Sequence, residues 1–310
     1  VETPFLSLAK RLKARATLHQ WQTDSLASAT KDNATIQGDD AAADTAIPTV
    51  NLSNYTQLMD KVAYVSTTQE AVDKYGRDSE MAYQMAKRSK ELKRDLEAAL
   101  VQNNAATAGA GGSAAAKMAS FESWLHTGGA ASTVPTPNGT TVGEGAAQTT
   151  PGWSTSAGRP ATAPTDSTSA GSVTEAVFKG AIQRTWNSGG DPSVIMASGV
   201  IKQKMASAYT GIATRFRNVP QGQADIIGGA DLYVSDFGEH KLVPNRFMRT
   251  SVIFGIDPEY VGVAYLQPFS TFDLARTGHA WKRAISAEAT LVVQNPMAHF
   301  KIADVSTTKW

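Results

Sequence analysis

The strongest constraint on this chain is the stretch Gly76 to Asn103, GRDSEMAYQMAKRSKELKRDLEAALVQN. No Pro or Gly interrupts residues 77–103, and good helix formers dominate: Ala, Leu, Met, Lys, Arg, Gln and Glu. Met81, Met85, Leu92, Leu96, Ala99 and Leu100 recur at steps of three, four and seven, so they share one narrow face. Most other positions are charged, with Lys87/Glu91 and Lys93/Glu97 spaced for i,i+4 pairs. At about 1.5 Å per residue the rod spans roughly 40 Å, and it exceeds the usual roughly 8–20 residues of a globular helix. A stripe this thin on a rod this long suits a brace lying across a sheet. A coiled-coil segment or a charged surface helix is the plainer alternative.

The 310 residues suffice for one large or two ordinary domains. Hydrophobic content of 42% supports a real core, and a net charge of +1 leaves no global field toward nucleic acid or membrane. The absence of cysteine excludes disulfides, thiolate zinc sites and cysteine nucleophiles. No run approaches 18 apolar residues, so no membrane-spanning helix is expected.

The N-terminal stretch ETPFLSLAKRLKARATLHQWQTDSL carries a basic run, Lys10, Arg11, Lys13 and Arg15. Alternation from Trp21 to Ala27 suits an extended arm whose cations meet acidic partners or DNA, or stay solvated. Residues 30–48 are polar, acidic and turn-rich, and YTQLMDKVAYVS from Tyr55 reads as a strand. Residues 33–66 are therefore expected as two ribbon strands joined by a tip. A lone ribbon buries little, so its burial is expected on another subunit. Thr67-Thr68-Gln69-Glu70 offers a capping box for a short helix ending near Gly76. Residues 104–116 are Ala/Gly-rich and lack the signature of a phosphate loop, so they are expected as a turn, and Phe121 to Leu125 as an apolar anchor.

Residues 128–172 are rich in Gly, Ala, Ser, Thr and Pro, with only Glu144, Arg159 and Asp166 charged. Such a segment buries little core and is expected as a long surface insertion, or else a linker, on the outside of whatever the chain builds. Then VTEAVFKGAIQRTWNSGG reads as an amphipathic helix capped by Thr174, SVIMA as a buried strand, GVIKQKMASAY as a second helix, and Ala224–Ile227 and DLYVS as strands. From Ser251 the chain turns to strands, SVIFGID, EYVGVAYL, AWKRAISAEATLVVQN and HFKIADV, which are expected to pack on the long helix. The fold class is α+β.

Catalytic signals are weak. His19, His126, His240, His279 and His299 show no metal-ligand spacing. Asp236-Phe237-Gly238 spells a kinase triplet without the other kinase loops, and reads as a turn. Asp257 and Glu259 flank Pro258 without a partner cluster. No catalytic, cofactor-binding or metal-binding residue is assigned, and an enzyme is not expected.

The order of parts, and the wording ETPFLSL, WQTDSLASA, VSTTQEAVDKYGR, YQMAKRSKELKRDLEAAL, TEAVFKGAIQRTWNSGG, DLYVSDFG, VPNR and LARTG before AEATLVVQNP, resembles the SU-ten-like branch of major capsid proteins of tailed double-stranded DNA phages. The resemblance covers nearly the whole chain and is poorest over residues 128–172. It implies the Hong Kong-type capsid fold. Residues 1–32 would be an N-arm, 33–67 an extended loop, and 68–127 a peripheral domain with its spine helix at 77–103. Residues 128–172 would be an insertion, 173–244 an axial domain, and 245–310 return strands of the peripheral domain.

The function implied is a structural one: hexamers and pentamers closing an icosahedral head around DNA held non-specifically. A portal protein, and decoration or scaffolding proteins, would be further partners, and the place of action would be the virion, assembled in the host cytoplasm. An encapsulin-like nanocompartment shell is the alternative with the same fold. Intersubunit contacts would fall on Lys10, Arg11, Trp21, Tyr55, Lys87, Arg88, Lys93, Arg94, Arg215 and Arg217. Some capsids of this fold lock covalently through a lysine of the extended loop. Residues 38–55 here contain no lysine, so a non-covalent shell is expected.

Overall fold

The structure is a computed structural model; it describes residues 2–24, 26–27, 29–38, 40, 48–73, 75–125, 138–141, 153–154, 157–167, 169–209 and 232–308. In chain order a short helix α1 (Pro4–Leu8) leads into strands β1 (Lys10–Lys13) and β2 (Leu18–Thr23). After a long excursion come β3 (Val50–Tyr55), β4 (Gln57–Ser66), α2 (Thr67–Ala71) and the long helix α3 (Glu80–Val101). The single turn α4 (Phe121–Trp124) precedes the short strands β5 (Asn138–Thr141), β6 (Trp153–Ser154) and β7 (Arg159–Pro160). Then follow α5 (Glu175–Asn187), β8 (Val194–Ala197), α6 (Gly199–Tyr209), β9 (Leu232–Ser235) and β10 (Gly238–Pro244). The chain closes with β11 (Ile253–Ile256), β12 (Val261–Asp273), β13 (Ala280–Val293) and β14 (Phe300–Ala303).

The expected brace is present, slightly shorter than residues 77–103. Ser79 takes the N-cap and accepts the Ala82 N–H. The Glu70 carboxylate crosses from α2 to accept the Ser79 hydroxyl at 2.6 Å and the Glu80 and Met81 N–H groups at 3.0 and 3.3 Å. An anion there satisfies orphan donors and complements the helix dipole, which fixes the start at Glu80. The buried face is Leu92, Leu96, Leu100 and Val101. It lies on a four-stranded sheet of order β1-β12-β13-β4. Leu96 and Leu100 share one core cluster with Val261, Val263, Ala289, Leu291, Phe5, Phe121 and Trp124.

A second sheet has the order β5-β14-β11-β8-β10-β9, with α5 and α6 packed over Ile195, Ile253, Phe300 and Ile302. Its strands do not divide at residue 245. β11 and β14, from the late stretch, pair next to β8, while β12 and β13 build the other sheet. Both β8 and β11 are buried along their whole length, so each needs a neighbour on both edges and neither can serve as a boundary. The Asp236-Phe237 turn joins β9 to β10, with Gly238 at φ 143 following it.

Three expectations need correction. The ribbon is not formed within residues 33–66: β3 pairs antiparallel with β2 of the N-terminal segment, and β4 pairs with β13. The short helix uses Ser66 as its cap, accepting the Gln69 N–H, and ends at Ala71 rather than near Gly76. Part of the expected surface insertion is core structure. Residues 126–137, 142–152 and 155–156 lie outside the described residues, but β5 pairs in parallel with β14, and Gly158, Pro160, Pro164 and Gly171 are buried.

Within that inward stretch the Gly158 carbonyl accepts the Ser53 N–H, and Arg159 stacks 4.5 Å over the Tyr55 ring and donates to its hydroxyl. Small residues let this strand approach closely. Gly158 sits at φ +58, and a Cβ there would lie 1.9 Å from the Asn51 carbonyl oxygen. Gly158→Ala should therefore cost about 2–3 kcal/mol, from positive φ plus a backbone clash. The check is denaturant unfolding combined with limited proteolysis, which should show new cleavage between residues 157 and 167.

Candidate assembly surfaces

The residues expected at intersubunit contacts fall into four groups. Trp21 and Tyr55 are turned into their own subunit. The Trp21 indole donates to the Val293 carbonyl at 3.0 Å and stacks 5.3 Å from Trp124, and Tyr55 is held by Arg159. β2, and with it the segment from Thr3 to Thr23, folds back on the subunit's own core rather than reaching outward. Lys10 and Arg11 are exposed on β1, at the edge of the four-stranded sheet. On α3, Arg88 pairs with Glu91 at 2.6 Å and Arg94 pairs with Glu2, whereas Lys87 and Lys93 are solvent-facing. Such exposed pairs, screened by water, add little to stability. Arg215 and Arg217 lie outside the described residues, as does Ala224–Ile227.

Sequence reasoning does not single out one apolar face. The side of the four-stranded sheet away from α3 carries Leu58 (62% exposed), Val62, Tyr64 (65%), Phe272 and Leu274. Register places Phe272, Ala284 and Val62 in one cross-strand row, with Lys282 and Tyr64 in the next. Alternation along YTQLMDKVAYVS contains the signal, since Leu58, Val62 and Tyr64 sit at period two. That pattern is apolar on both faces of the strand, and only the position of α3 tells which face stays uncovered.

Nor does it find the buried charges. Glu97, spaced as a surface partner of Lys93, is fully buried. It accepts the Phe5 and Leu6 N–H groups of α1 at 2.8 Å each and the Asn245 amide at 2.7 Å. Burial pushes its carboxyl up, against the lowering pull of those donors. The buried Glu122 is clamped by Arg249 at 2.8 Å, which also holds Asp166. Lys301 is buried beside it and donates to the Glu122 carbonyl at 3.0 Å; burial lowers its ammonium to about 8, opposed by the Glu122 charge. His299 is buried with its Nδ1 accepting the Asp257 N–H at 3.0 Å, and burial lowers its imidazole to about 3.

These groups tie segments together and do not converge on a cleft. The groove of about 460 Å³ beside α1 is lined by Pro4, Leu8, Val194, Met196 and Val243, with Lys202 and Lys241. Among the described residues no group of three or more His, Asp or Glu could hold a metal ion, and no helix is long and apolar enough to cross a membrane.

The sequence model of one family, SU10 major capsid protein, matches residues 1–306. The chain belongs to that family. This capsid protein is 42% identical over 106 residues to the major capsid protein of Escherichia phage Phieco32, a match covering 34% of this chain and 30% of that protein. It therefore spans less than a third of that curated relative's length. Its fold is similar to the cyanophage A-1(L) capsid, with TM-score 0.66, 14% identity, and 98% of this chain and 93% of that one covered. It is also similar to the capsid of a native GTA particle, with TM-score 0.63, 10% identity, and coverage of 99% and 91%. An encapsulin complex from Synechococcus elongatus matches at TM-score 0.56 and 13% identity, covering 100% of this chain and 90% of that one. At these identities the likeness is one of fold, and the mixed α+β architecture of phage capsids is the fold of this chain.

Proposed function

We propose that this capsid protein self-assembles, as hexamers and pentamers, into the icosahedral head of a phage and encloses its double-stranded DNA. Assembly takes place in the host cytoplasm, and a portal protein occupies one vertex. The α3 sheet forms the peripheral part of each subunit, and the six-stranded sheet with α5 and α6 the axial part. Leu26 (99% exposed) and Ile36 (78%), between β2 and β3, find cover on a neighbouring subunit.

The observation that carries this reading, beside family membership, is the set of exposed apolar side chains Leu58, Val62, Tyr64, Phe272 and Leu274 on one side of the sheet, interspersed with Asp60, Ser286 and Lys282. A single subunit leaves it in water, at roughly 25 cal/mol per Å² of area that a neighbour would remove.

Val62→Asp combined with Phe272→Asp should abolish assembly and leave subunit folding unchanged. Electron microscopy and light scattering of the protein expressed alone should show closed shells or five- and sixfold rings for the wild type. The double variant should give a monodisperse subunit with the same circular dichroism. Shells from the variant would remove this face from the interface. An enzyme-loaded nanocompartment uses the same fold, and genome-length DNA in purified particles separates the two.

A further inference from the structure

The four-stranded sheet has two unlike sides. Opposite the apolar face lies α3, and there cations exceed their partners. From Lys87 onward α3 carries three acids, Glu91, Asp95 and Glu97, and each is engaged: Glu91 by Arg88, Asp95 by Lys61 at 2.7 Å, and Glu97 by the N–H groups of α1. Glu2, beside the helix, is held by Arg94. Among the described residues Lys87, Lys90 and Lys93 form no ion pair. β1 adds to them. Arg11 and Lys13 lie in register with Val263 and Tyr265, which pack in the same cluster as Leu96 and Leu100. Both therefore project to the α3 side, both are exposed, and neither forms an ion pair among the described residues.

The chain as a whole has a net charge of only +1, so this excess is segregation and not a general basic character. A charged edge strand by itself is a device against edge-to-edge pairing. That role asks nothing of the helix beside it, and so it leaves the lysines of α3 unexplained. Flexible lysines without base-reading partners suit a phosphate backbone contacted without sequence preference.

We propose that the α3 side of this sheet, through Arg11, Lys13, Lys87, Lys90 and Lys93, faces the packaged duplex DNA and contacts its phosphates. The inference rests on the reading that the shell encloses DNA. It turns the apolar face of the same sheet away from the contents, toward neighbouring protein.

Amine acetylation of intact filled heads, and of the same heads emptied of DNA, followed by peptide mass spectrometry, tests it directly. Lys13, Lys87, Lys90 and Lys93 should be modified at least tenfold less in filled heads. Equal modification overturns the inference while leaving the capsid reading intact. Heads that contain no DNA would sink that reading itself.

Neutralising Arg11, Lys13, Lys90 and Lys93 to Gln provides a second readout, duplex binding by unassembled subunits across a salt series. The slope of log affinity against log salt should fall by about 0.9 for each phosphate that the variant no longer neutralises. Exchanging Lys for Arg and Arg for Lys at the same four positions should keep it. An unchanged slope in a variant that still forms shells overturns the proposal. So does a variant that fails to form shells, because the cations would then be subunit contacts.

Discussion

Glu97→Ala should destabilise the subunit by about 3–5 kcal/mol and free α1 from α3. The carboxylate accepts from two backbone N–H groups and one amide in a region closed to water. Each buried donor left without an acceptor costs about 1–3 kcal/mol, against which the relief of burying a charge is credited. A five-residue helix such as α1 has no independent stability, so the damage is local before it is global. Phe5, which contacts Phe121 at 5.3 Å, should leave the core with it. Hydrogen exchange at Phe5 and Leu6 should rise to near the unprotected rate, and the urea midpoint should fall. Glu97→Gln, which keeps one acceptor oxygen, should lie between. Preserved protection at Phe5 and Leu6 in Glu97→Ala would mean that packing alone holds α1.

Acid should unfold the subunit partly through His299. The buried imidazole is neutral when folded, with a pKa of about 3 against an ordinary 6.5, and burial is the cause. Between those values the unfolded chain binds a proton that the folded chain refuses. Stability therefore falls as pH drops below about 6.5, by about 1.4 kcal/mol per pH unit at the steepest, and the decline is complete near pH 3. Above that range the group contributes no slope. His299→Gln retains an acceptor for the Asp257 N–H and cannot titrate. Urea unfolding at about pH 7, 5.5 and 4.5, values that span the titration window, should show the wild type losing stability faster than the variant. Parallel curves would assign acid sensitivity to the carboxylates instead.

Much of the architecture can be read from local signals. The stripe on α3, the Thr174 cap, the buried strands SVIMA and HFKIADV and the Asp236-Phe237 turn all sit where periodicity and turn chemistry put them. Pairing at long range is not legible in the same way. Nothing in LHQWQT says that its partner is VNLSNY across the excursion, because both are mixed polar strands with weak alternation. Glu97 has the spacing of an i+4 partner for Lys93, and that rule sees only the helix; the donors that claim its carboxylate come from α1, about 90 residues away, and from Asn245, 148 residues away. Residues 157–171 mislead for a related reason. Gly, Ser and Pro signal little side-chain burial, yet a strand can be fixed by its backbone and by one arginine. The assembly face is half visible: β4 shows apolar residues on both faces, and the tertiary fold alone decides which face is spare.

The position of β14 bears on how the subunit comes into being. It lies between β5 and β11 and is paired to both, so the sheet around α5 is interrupted until residues 300–303 are in place. During synthesis, roughly 160 residues separate the appearance of β5 from that of the strand it needs. A nascent chain therefore holds an open sheet for about half of its synthesis, a state prone to mispairing and dependent on timing. A polypeptide cut short before residue 300 lacks the strand that joins β5 to β11 and cannot complete this sheet.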